Sequence, residues 1–427
     1  MKYAIVTFGC RVNQADSLAL ESELAGAGAE AVSAEHADLV IVNTCSVTAS
    51  ADQGARQTIR RIARDNPAAR IVATGCYATR CADDVAALPG VAAVVPNDDK
   101  VAGVLRHIPL AELIPDGPCA RPIAPGLMGR TAWTLRVQTG CEESCSYCII
   151  PTTRGRSRSR TIDNVLAETR RVVDAGYREI VITGVHLGSY GRDLQPRMSL
   201  LQLLETLDHF GVGRAEARAP NSSEHHERQP LYRISSLEPM DCSTEIVELI
   251  AARTVDGVGF SRAVFAPHFH LPLQHASNRM LGLMKRPYSI ERYAELVDGI
   301  RRRLPHASIG SDIIVGFPGE TDDDFEELAN YLARSPLTHL HVFPYSDRPG
   351  TEASALTGKL HGSVIKERSH QLREISRALQ TRFRESLRGS VRPALTIDDG
   401  SVAVTDNYFR VPLPPGHARN EWVAVTL

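Results

Sequence analysis

No apolar run in this 427-residue chain is long enough to cross a bilayer, and the N-terminus enters a strand-like segment without a signal peptide. The expectation is a cytoplasmic protein with no membrane partner. A net charge of −2 provides no uniformly basic surface, so contact with nucleic acid must come from local patches. The nine cysteines lack the close spacing of a small secreted disulfide scaffold, and in a reducing compartment they fit metal binding better. Hydrophobic content of 43% and charged content of 23% are ordinary for globular chains. At about 100–200 residues per unit, the length predicts roughly two to four domains.

What is present is the run Gly140-Cys-Glu-Glu-Ser-Cys-Ser-Tyr-Cys148, in which Cys141, Cys145 and Cys148 have Cys-x3-Cys-x2-Cys spacing. Three thiolates on one short loop can wrap a single inorganic cluster. A 4Fe-4S cluster usually takes four cysteines, so the lack of a close fourth implies an iron position open to a substrate. The plainer alternative is a structural zinc loop, which would want a fourth Cys or His, typically as two Cys pairs.

The first hundred residues alternate strand and helix patterns: Tyr3 to Thr7, Leu39 to Val42 and Ile71 to Ala73 as strands, Ser17 to Leu24 and Gln57 to Arg64 as helices. This predicts a parallel α/β unit. Each strand leads into a cysteine, at Gly9-Cys10, Thr44-Cys45 and Gly75-Cys76. Loops beyond the C-termini of parallel strands share one ligand-binding edge, so these three cysteines are expected to converge into a second three-thiolate site. The alternative is three buried cysteines packed as small apolar groups. Residues 101 to 130, with Pro118, Pro122 and Pro125, read as a linker.

From Trp133 onward six strand-like runs alternate with helices or loops: Thr134 to Gln138, Glu179 to Thr183, Leu231 to Ser235, His268 to Leu273, Ser311 to Val315 and His339 to Phe343. They predict a partial parallel (β/α)6 barrel with the cysteine loop at its C-terminal mouth, where such barrels build active sites. Residues 211–230 read as a disordered polar insertion despite His225 and His226. A charged amphipathic helix is expected from Ser363 to Leu387. The short runs Ala394 to Ile397, Val402 to Thr405, Phe409 to Leu413 and Trp422 to Leu427 then predict a small β-barrel. The expected fold is thus α/β multidomain, with units at 1–110, 127–365 and 388–427. Basic clusters at Arg154/Arg156/Arg158/Arg160, Lys285-Arg286 and Arg301-Arg302-Arg303 are solvated faces or nucleic-acid contacts, and the first adjoins the cysteine loop.

The cysteine spacing, with Tyr147 before the last thiol, resembles the radical S-adenosylmethionine (SAM) superfamily. Over nearly the whole chain the motifs resemble the radical SAM methylthiotransferases. They are Thr7-Phe-Gly-Cys-Arg-Val-Asn-Gln14, Asn43-Thr-Cys-Ser-Val-Thr48, Thr74-Gly-Cys-Tyr77, Gly140 to Pro151, Arg154-Gly155, Thr183-Gly-Val-His186, Arg233 to Pro239, Asp312 to Glu320 and His341 to Thr351. Within that family Arg11-Val-Asn-Gln14, His341-Val-Phe-Pro344 and Ser346-Asp-Arg-Pro-Gly350 are similar to the tRNA threonylcarbamoyladenosine branch. Leu273-Gln-His-Ala-Ser277 resembles the branch that modifies an aspartate of a ribosomal protein.

The resemblance implies an N-terminal methylthiotransferase domain, a radical SAM domain and a C-terminal TRAM domain that binds RNA. It implies two 4Fe-4S clusters, one on Cys10, Cys45 and Cys76 and one on Cys141, Cys145 and Cys148, and SAM as cofactor. Expected SAM contacts are Tyr147 beside the adenine, Thr183 and Gly184 near the methionine end, Glu238 at the ribose hydroxyls, and Arg154 at the SAM carboxylate or an RNA phosphate. Cys81, Cys119 and Cys242 read as ordinary thiols. The implied partners are the tRNA anticodon loop and an electron donor such as flavodoxin or ferredoxin, with the sulfur source undetermined. The alternative substrates are isopentenyladenosine in tRNA or the ribosomal aspartate. A non-catalytic iron-sulfur RNA-binding or redox-sensing protein is the alternative of another class.

Overall fold

The computed structural model describes residues 1–108, 123–210, 230–254 and 264–427. The first sheet contains β1 (Lys2–Thr7), β2 (Glu30–Ala31), β3 (Leu39–Thr44), β4 (Arg70–Gly75) and β5 (Val91–Val95). All pair in parallel in the order β2-β1-β3-β4-β5. Every residue of β3 is buried, because helices cover both faces of the sheet. On one face Leu20 and Leu24 of the helix Arg11–Gly26 pack with Leu39 and Ile41. On the other, Ala55, Ile59 and Ile62 form the apolar stripe of the helix Ala49–Asp65 and pack with Val40 and Val42. The strand order reverses between β1 and β3, the switch point at which such sheets open a crevice beyond their C-terminal ends.

The expected linker is corrected at its start. Residues Lys100–Arg106 are a helix, because Val104 is apolar and packs with Tyr3 and Ile41 on the first sheet. Most of the remaining proline-rich segment, the insertion at 211–229 and Cys119 lie outside the described residues.

The second unit carries β6 (Trp133–Arg136), the short antiparallel pair β7 (Gln138–Thr139) and β8 (Arg158–Ser159), then β9 (Glu179–Thr183), β10 (Leu231–Ile234), β11 (His268–His270), β12 (Ser308–Val315) and β13 (His339–Pro344). Two parallel sheets, β6-β9-β10 and β11-β12-β13, are joined by bridges between Tyr232 and Phe265 and between Ser236 and His270. The six strands therefore run continuously, and among the described residues β6 and β13 do not pair with each other. This is a partial barrel. Phe269, Ile313 and Leu340 alternate outward into the core shared with the helices. By the two-residue period of a strand, His268, His270, Asp312, His339 and His341 face the barrel interior.

The expected C-terminal β-barrel is also corrected. Strands β14 (Val391–Ile397), β15 (Val402–Thr405), β16 (Arg410–Pro412) and β17 (Trp422–Thr426) form an open antiparallel sheet in the order β16-β15-β14-β17. Strands this few and short cannot tilt and stagger into closure. The sheet docks on the barrel instead. Arg233 of β10, fully buried, pairs with Glu179 at 3.0 Å and donates to the Asp406 carbonyl at 2.9 Å. Asn407 Nδ2 donates to the His306 carbonyl, and Phe383 of the long helix Gly362–Ser386 stacks on Phe409. No helix among the described residues is long and apolar enough to cross a membrane.

Asp406 also grips Arg392 from within the sheet, with both side chains buried. Asp406→Ala should therefore lower unfolding stability by about 3–5 kcal/mol, the consequence of leaving a buried cation unpaired. Asp398→Ala, which removes only an exposed partner of Arg410, should change it by less than about 1 kcal/mol. Urea unfolding followed by proteolysis of the C-terminal sheet measures both, and equal effects would reject a stabilising role for the buried Arg392–Asp406 pair.

Candidate functional site

Cys10, Cys45 and Cys76 lie just beyond the C-terminal ends of β1, β3 and β4, on the shared edge at the switch point. Cys45 and Cys76 are buried and Cys10 is exposed. Gly9 has φ +90°, and a Cβ there would stand 2.4 Å from Cys45 Sγ, so only glycine lets the β1 loop close over this sulfur. The Val47 amide donates to Cys45 Sγ at 3.4 Å, and Asn97 Nδ2 lies 3.6 Å from Cys76 Sγ. Burial pushes the Cys45 thiol up to about 11. A buried sulfur of this kind becomes a thiolate only with a metal or a compensating cation.

The cations come from both domains. Asp16, buried in the first helix, receives Lys100 Nζ at 2.6 Å and Arg154 Nη2 at 3.2 Å, and is also paired with Arg136. Burial alone would raise the Asp16 pKa. The three cations override it and hold the carboxyl well below the usual range. Arg154, buried and bonded also to Asn13 and Thr139, faces Cys76 and Cys10. Three cations against one carboxylate leave positive charge directed at the thiols. A second clasp holds the Cys45 loop: Arg348 donates to Asp52 and to the Ser46 carbonyl at 2.8 Å each, and Arg80 pairs with Asp52 at 2.6 Å.

Cys141, Cys145 and Cys148 follow β7 at the barrel mouth. Gly140 has φ +75° and would carry a Cβ 1.9 Å from the Arg156 carbonyl oxygen, so glycine is required where the loop crosses the returning chain. Ser146 fixes the loop to the Met284 carbonyl through its amide and to the Leu283 carbonyl through its hydroxyl. Burial pushes the Cys148 thiol up to about 12. Arg286 Nη1 lies 3.0 Å from Cys145 Sγ, while its other nitrogens engage Glu238 and the Tyr288 hydroxyl. His186 Nδ1 lies 3.9 Å from Cys141 Sγ, and Nε2 is 2.7 Å from Asp241. Burial alone would lower the His186 pKa, but bonds to Asp241 and Cys141 raise it to about 10. Gln138 Oε1 accepts from the amides of Val185 and His186, and Nε2 donates to the Gly140 carbonyl, tying the cysteine loop to the β9 loop.

Tyr147 packs beside Met280, Met284 and Phe317, and Thr183 is buried with its hydroxyl accepting from Ser235. A Cβ on Gly184 would stand 2.9 Å from Gln138 Oε1. Glu238 stands at the mouth, paired with Arg286. Arg154 is turned away from the expected cofactor or phosphate contact, because its guanidinium is committed to Asn13 and Asp16 across the domain junction. The supposed surface patches also divide. Arg286 is buried at Cys145, and Arg301 caps the carbonyls of Pro305, Ala307 and Pro336, whereas Arg156 is 90% exposed and Arg158 49%. His275, in the motif resembling the protein-modifying branch, is fully buried 3.7 Å from Glu320 and faces the core. Sequence reasoning missed Asp16, Asp241, Arg286 and Arg348 as site-shaping residues. The placement of Arg348 inside Ser346–Gly350 and of His186 inside Thr183–His186 was the available signal.

Each trio thus combines three sulfur donors with a buried arginine at one of them, a donor set suited to an anionic iron-sulfur cluster. Comparison with known proteins agrees. The family described as "Uncharacterized protein family UPF0004" matches residues 2–96, and the radical SAM superfamily matches residues 135–332. The chain is 35% identical over 422 residues to the threonylcarbamoyladenosine tRNA methylthiotransferase MtaB of Aquifex aeolicus, covering 96% of each. It is 33% identical to the tRNA-2-methylthio-N(6)-dimethylallyladenosine synthase of Moorella thermoacetica, covering 91% of this chain and 85% of the other. Among solved structures, the radical S-adenosylmethionine methyltransferase TsrM of Kitasatospora setae, with cobalamin and a 4Fe-4S cluster bound, shares the fold with TM-score 0.56 at 15% identity, over 83% of this chain and 76% of that one.

Because the folded Asp16 carboxyl is held below its unfolded value, the stability it contributes is complete above about pH 4 and is lost as pH falls further. At pH 7 Asp16→Asn should cost about 3–5 kcal/mol in urea unfolding. The gap to wild type should narrow as the solution is acidified below about pH 4. A gap independent of pH would show that the charge is not what matters.

Proposed function

The chain belongs to the radical SAM methylthiotransferases, and we propose that it adds a methylthio group to carbon 2 of threonylcarbamoyladenosine next to the anticodon of tRNA. The observation that carries this reading is the pairing of two three-thiol sites in one packed unit, each with a buried arginine at a sulfur. The names of relatives such as the Aquifex aeolicus enzyme support the substrate.

In this reading Cys10, Cys45 and Cys76 would hold one 4Fe-4S cluster and Cys141, Cys145 and Cys148 the other, with SAM bound at the second. When bound, that cluster would supply the one-electron reducing chemistry by which SAM is made to react at an aromatic C–H bond that acid-base chemistry cannot open. The protein's own groups do the positioning. Arg286 would neutralise charge at Cys145 and holds Glu238, which would accept from the ribose hydroxyls of SAM. Gln138 and His186 fix the Cys141 side of the loop. Tyr147, Thr183 and Gly184 line the remaining cofactor space.

The 1–110 unit would be the methylthiotransferase domain, 127–365 the radical SAM domain, and 388–427 a TRAM-like sheet for RNA. Reaching the base requires an unstacked nucleotide, as the anticodon loop provides. A flavodoxin or ferredoxin in the cytoplasm would supply electrons.

Mass spectrometry of tRNA nucleosides and ribosomal proteins from a deletion strain tests the substrate. The methylthio mass should vanish from threonylcarbamoyladenosine and persist on the ribosomal aspartate, and the reverse result would overturn the reading. Replacing Cys10, Cys45 and Cys76 together by Ala should leave about half the iron of anaerobically reconstituted wild type, in keeping with one cluster per trio. Unchanged iron would remove the first site. Charge reversal of Arg156 and Arg158 should weaken tRNA binding and reduce its salt slope by about 0.7–0.9 per lost phosphate contact. An unchanged slope would exclude contact there.

A further inference from the structure

The interior face of the barrel carries a constellation to which the cluster chemistry assigns no role. Asp312 on β12 stands between His270 on β11 and His341 on β13, with its Oδ1 3.0 Å from His270 Nε2 and 3.2 Å from His341 Nδ1. The two rings lie 5.1 Å apart, and their ligand atoms and that of Asp312 all fall within 4.8 Å of one another. The imidazoles hold the Asp312 carboxyl well below the ordinary range against the opposing effect of burial. It is therefore an ionised anchor that fixes both rings. Among the described residues no protein group takes the opposite nitrogens, His270 Nδ1 and His341 Nε2. His341 is 54% exposed, although it sits on a strand of a catalytic-type barrel.

A second polar group lies beside this one. His268 shares the face of His270 two residues away, about 6–7 Å along the strand. Its ring lies 4.7 Å from Tyr408, whose hydroxyl accepts from Arg11 at 3.1 Å. Arg11, next to Cys10, has no carboxylate partner among the described residues. The lumen wall thus runs from an uncompensated guanidinium through a phenol to two anchored imidazoles.

We propose that His270 and His341, held by Asp312, recognise the carboxylate and hydroxyl of the threonylcarbamoyl group, and so select it over an apolar adenosine side chain. This rests on the substrate reading above. An anchored imidazole accepts from a hydroxyl or ureido N–H when neutral and donates to a carboxylate when protonated. A dimethylallyl group, which the Moorella thermoacetica relative's name specifies, offers none of these partners and would leave the wall unsatisfied. The wall stands in the same lumen as the candidate SAM site: Ser236 pairs with His270, and Glu238 follows two residues later.

The test uses reconstituted full-length protein and anticodon stem-loops carrying threonylcarbamoyladenosine as the free acid or as its methyl ester. Wild type should bind and turn over the acid better than the ester. His341→Gln, and separately His270→Phe/His341→Phe, should raise KM and Kd for the acid about 10- to 100-fold, the range for losing a hydrogen bond to a charged group. Both variants should collapse the difference between acid and ester while iron content stays at the wild-type level. His341→Gln, at a half-exposed position, keeps the test open if the double variant does not fold. An unchanged acid-to-ester ratio, or an equal loss for both, would overturn the proposal while leaving the substrate reading intact. A divalent metal other than iron, retained by wild type and lost in the variants, would overturn it in favour of a metal site. Wild type that modifies dimethylallyladenosine and ignores the acid would remove the substrate reading and this inference together.

Discussion

One buried carboxylate holds the molecule's two halves in register. Asp16 belongs to the first α/β unit, and two of its three cationic partners, Arg136 and Arg154, belong to the barrel. Ions removed from water cost several kcal/mol each unless they are paired and hydrogen-bonded, so this group exists only when the domains are docked. The docking is strict because four charged side chains must arrive together. Their unequal count matters as much as their pairing. The surplus positive charge faces the Cys76 and Cys10 sulfurs, where it would offset the negative charge of thiolates holding a cluster.

The barrel supplies arginines to the first unit in two places, and each lies at a cysteine loop. Arg154 reaches the Cys10 and Cys76 side, while Arg348 reaches the loop after Cys45 through Asp52 and the Ser46 carbonyl. Asn97 adds a third link, with Nδ2 2.9 Å from the Thr153 carbonyl and 3.6 Å from Cys76 Sγ. Thr153 lies in the short helix Ile150–Arg154 that follows Cys148. The spacing between the two thiol trios is therefore set by packed side chains and backbone hydrogen bonds. A domain hinge at this junction would have to break all three contacts at once, so any chemistry joining the trios has to work at a fixed separation.

Much of this was legible from the chain. Runs of three to six residues marked the strands of the first two units, and cysteines directly after three successive strands marked a shared sheet edge. Periodicity has no access to partners far apart in sequence. Arg154 and Arg286 read as members of exposed basic clusters, yet both are buried, because their counter-charges Asp16 and Glu238 lie 138 and 48 residues away. The C-terminal strands were visible one by one, but closure depends on tilt and stagger, which four short runs do not encode. The Leu273–Ser277 motif carried a family likeness without its orientation, and His275 proves to face the core.

The gap in the barrel has consequences for what can enter it. On the β6 side, the helix Arg11–Gly26 packs against the open strand, and its Leu18 joins the barrel's own core. On the β13 side, His341 and Phe343 remain exposed. At the floor, Arg233 and the Thr405–Tyr408 turn of the C-terminal sheet close the lumen. A nucleotide reaching the interior must therefore pass the mouth or the β13 edge, with the first α/β unit forming the opposite wall. That geometry makes the first unit part of the substrate enclosure as well as the carrier of a thiol trio. Arg11 performs both tasks at once, beside Cys10 in sequence and beside Tyr408 in space. A flat surface could not exclude water from a reactive carbon in this way, whereas an enclosure assembled from three domains can.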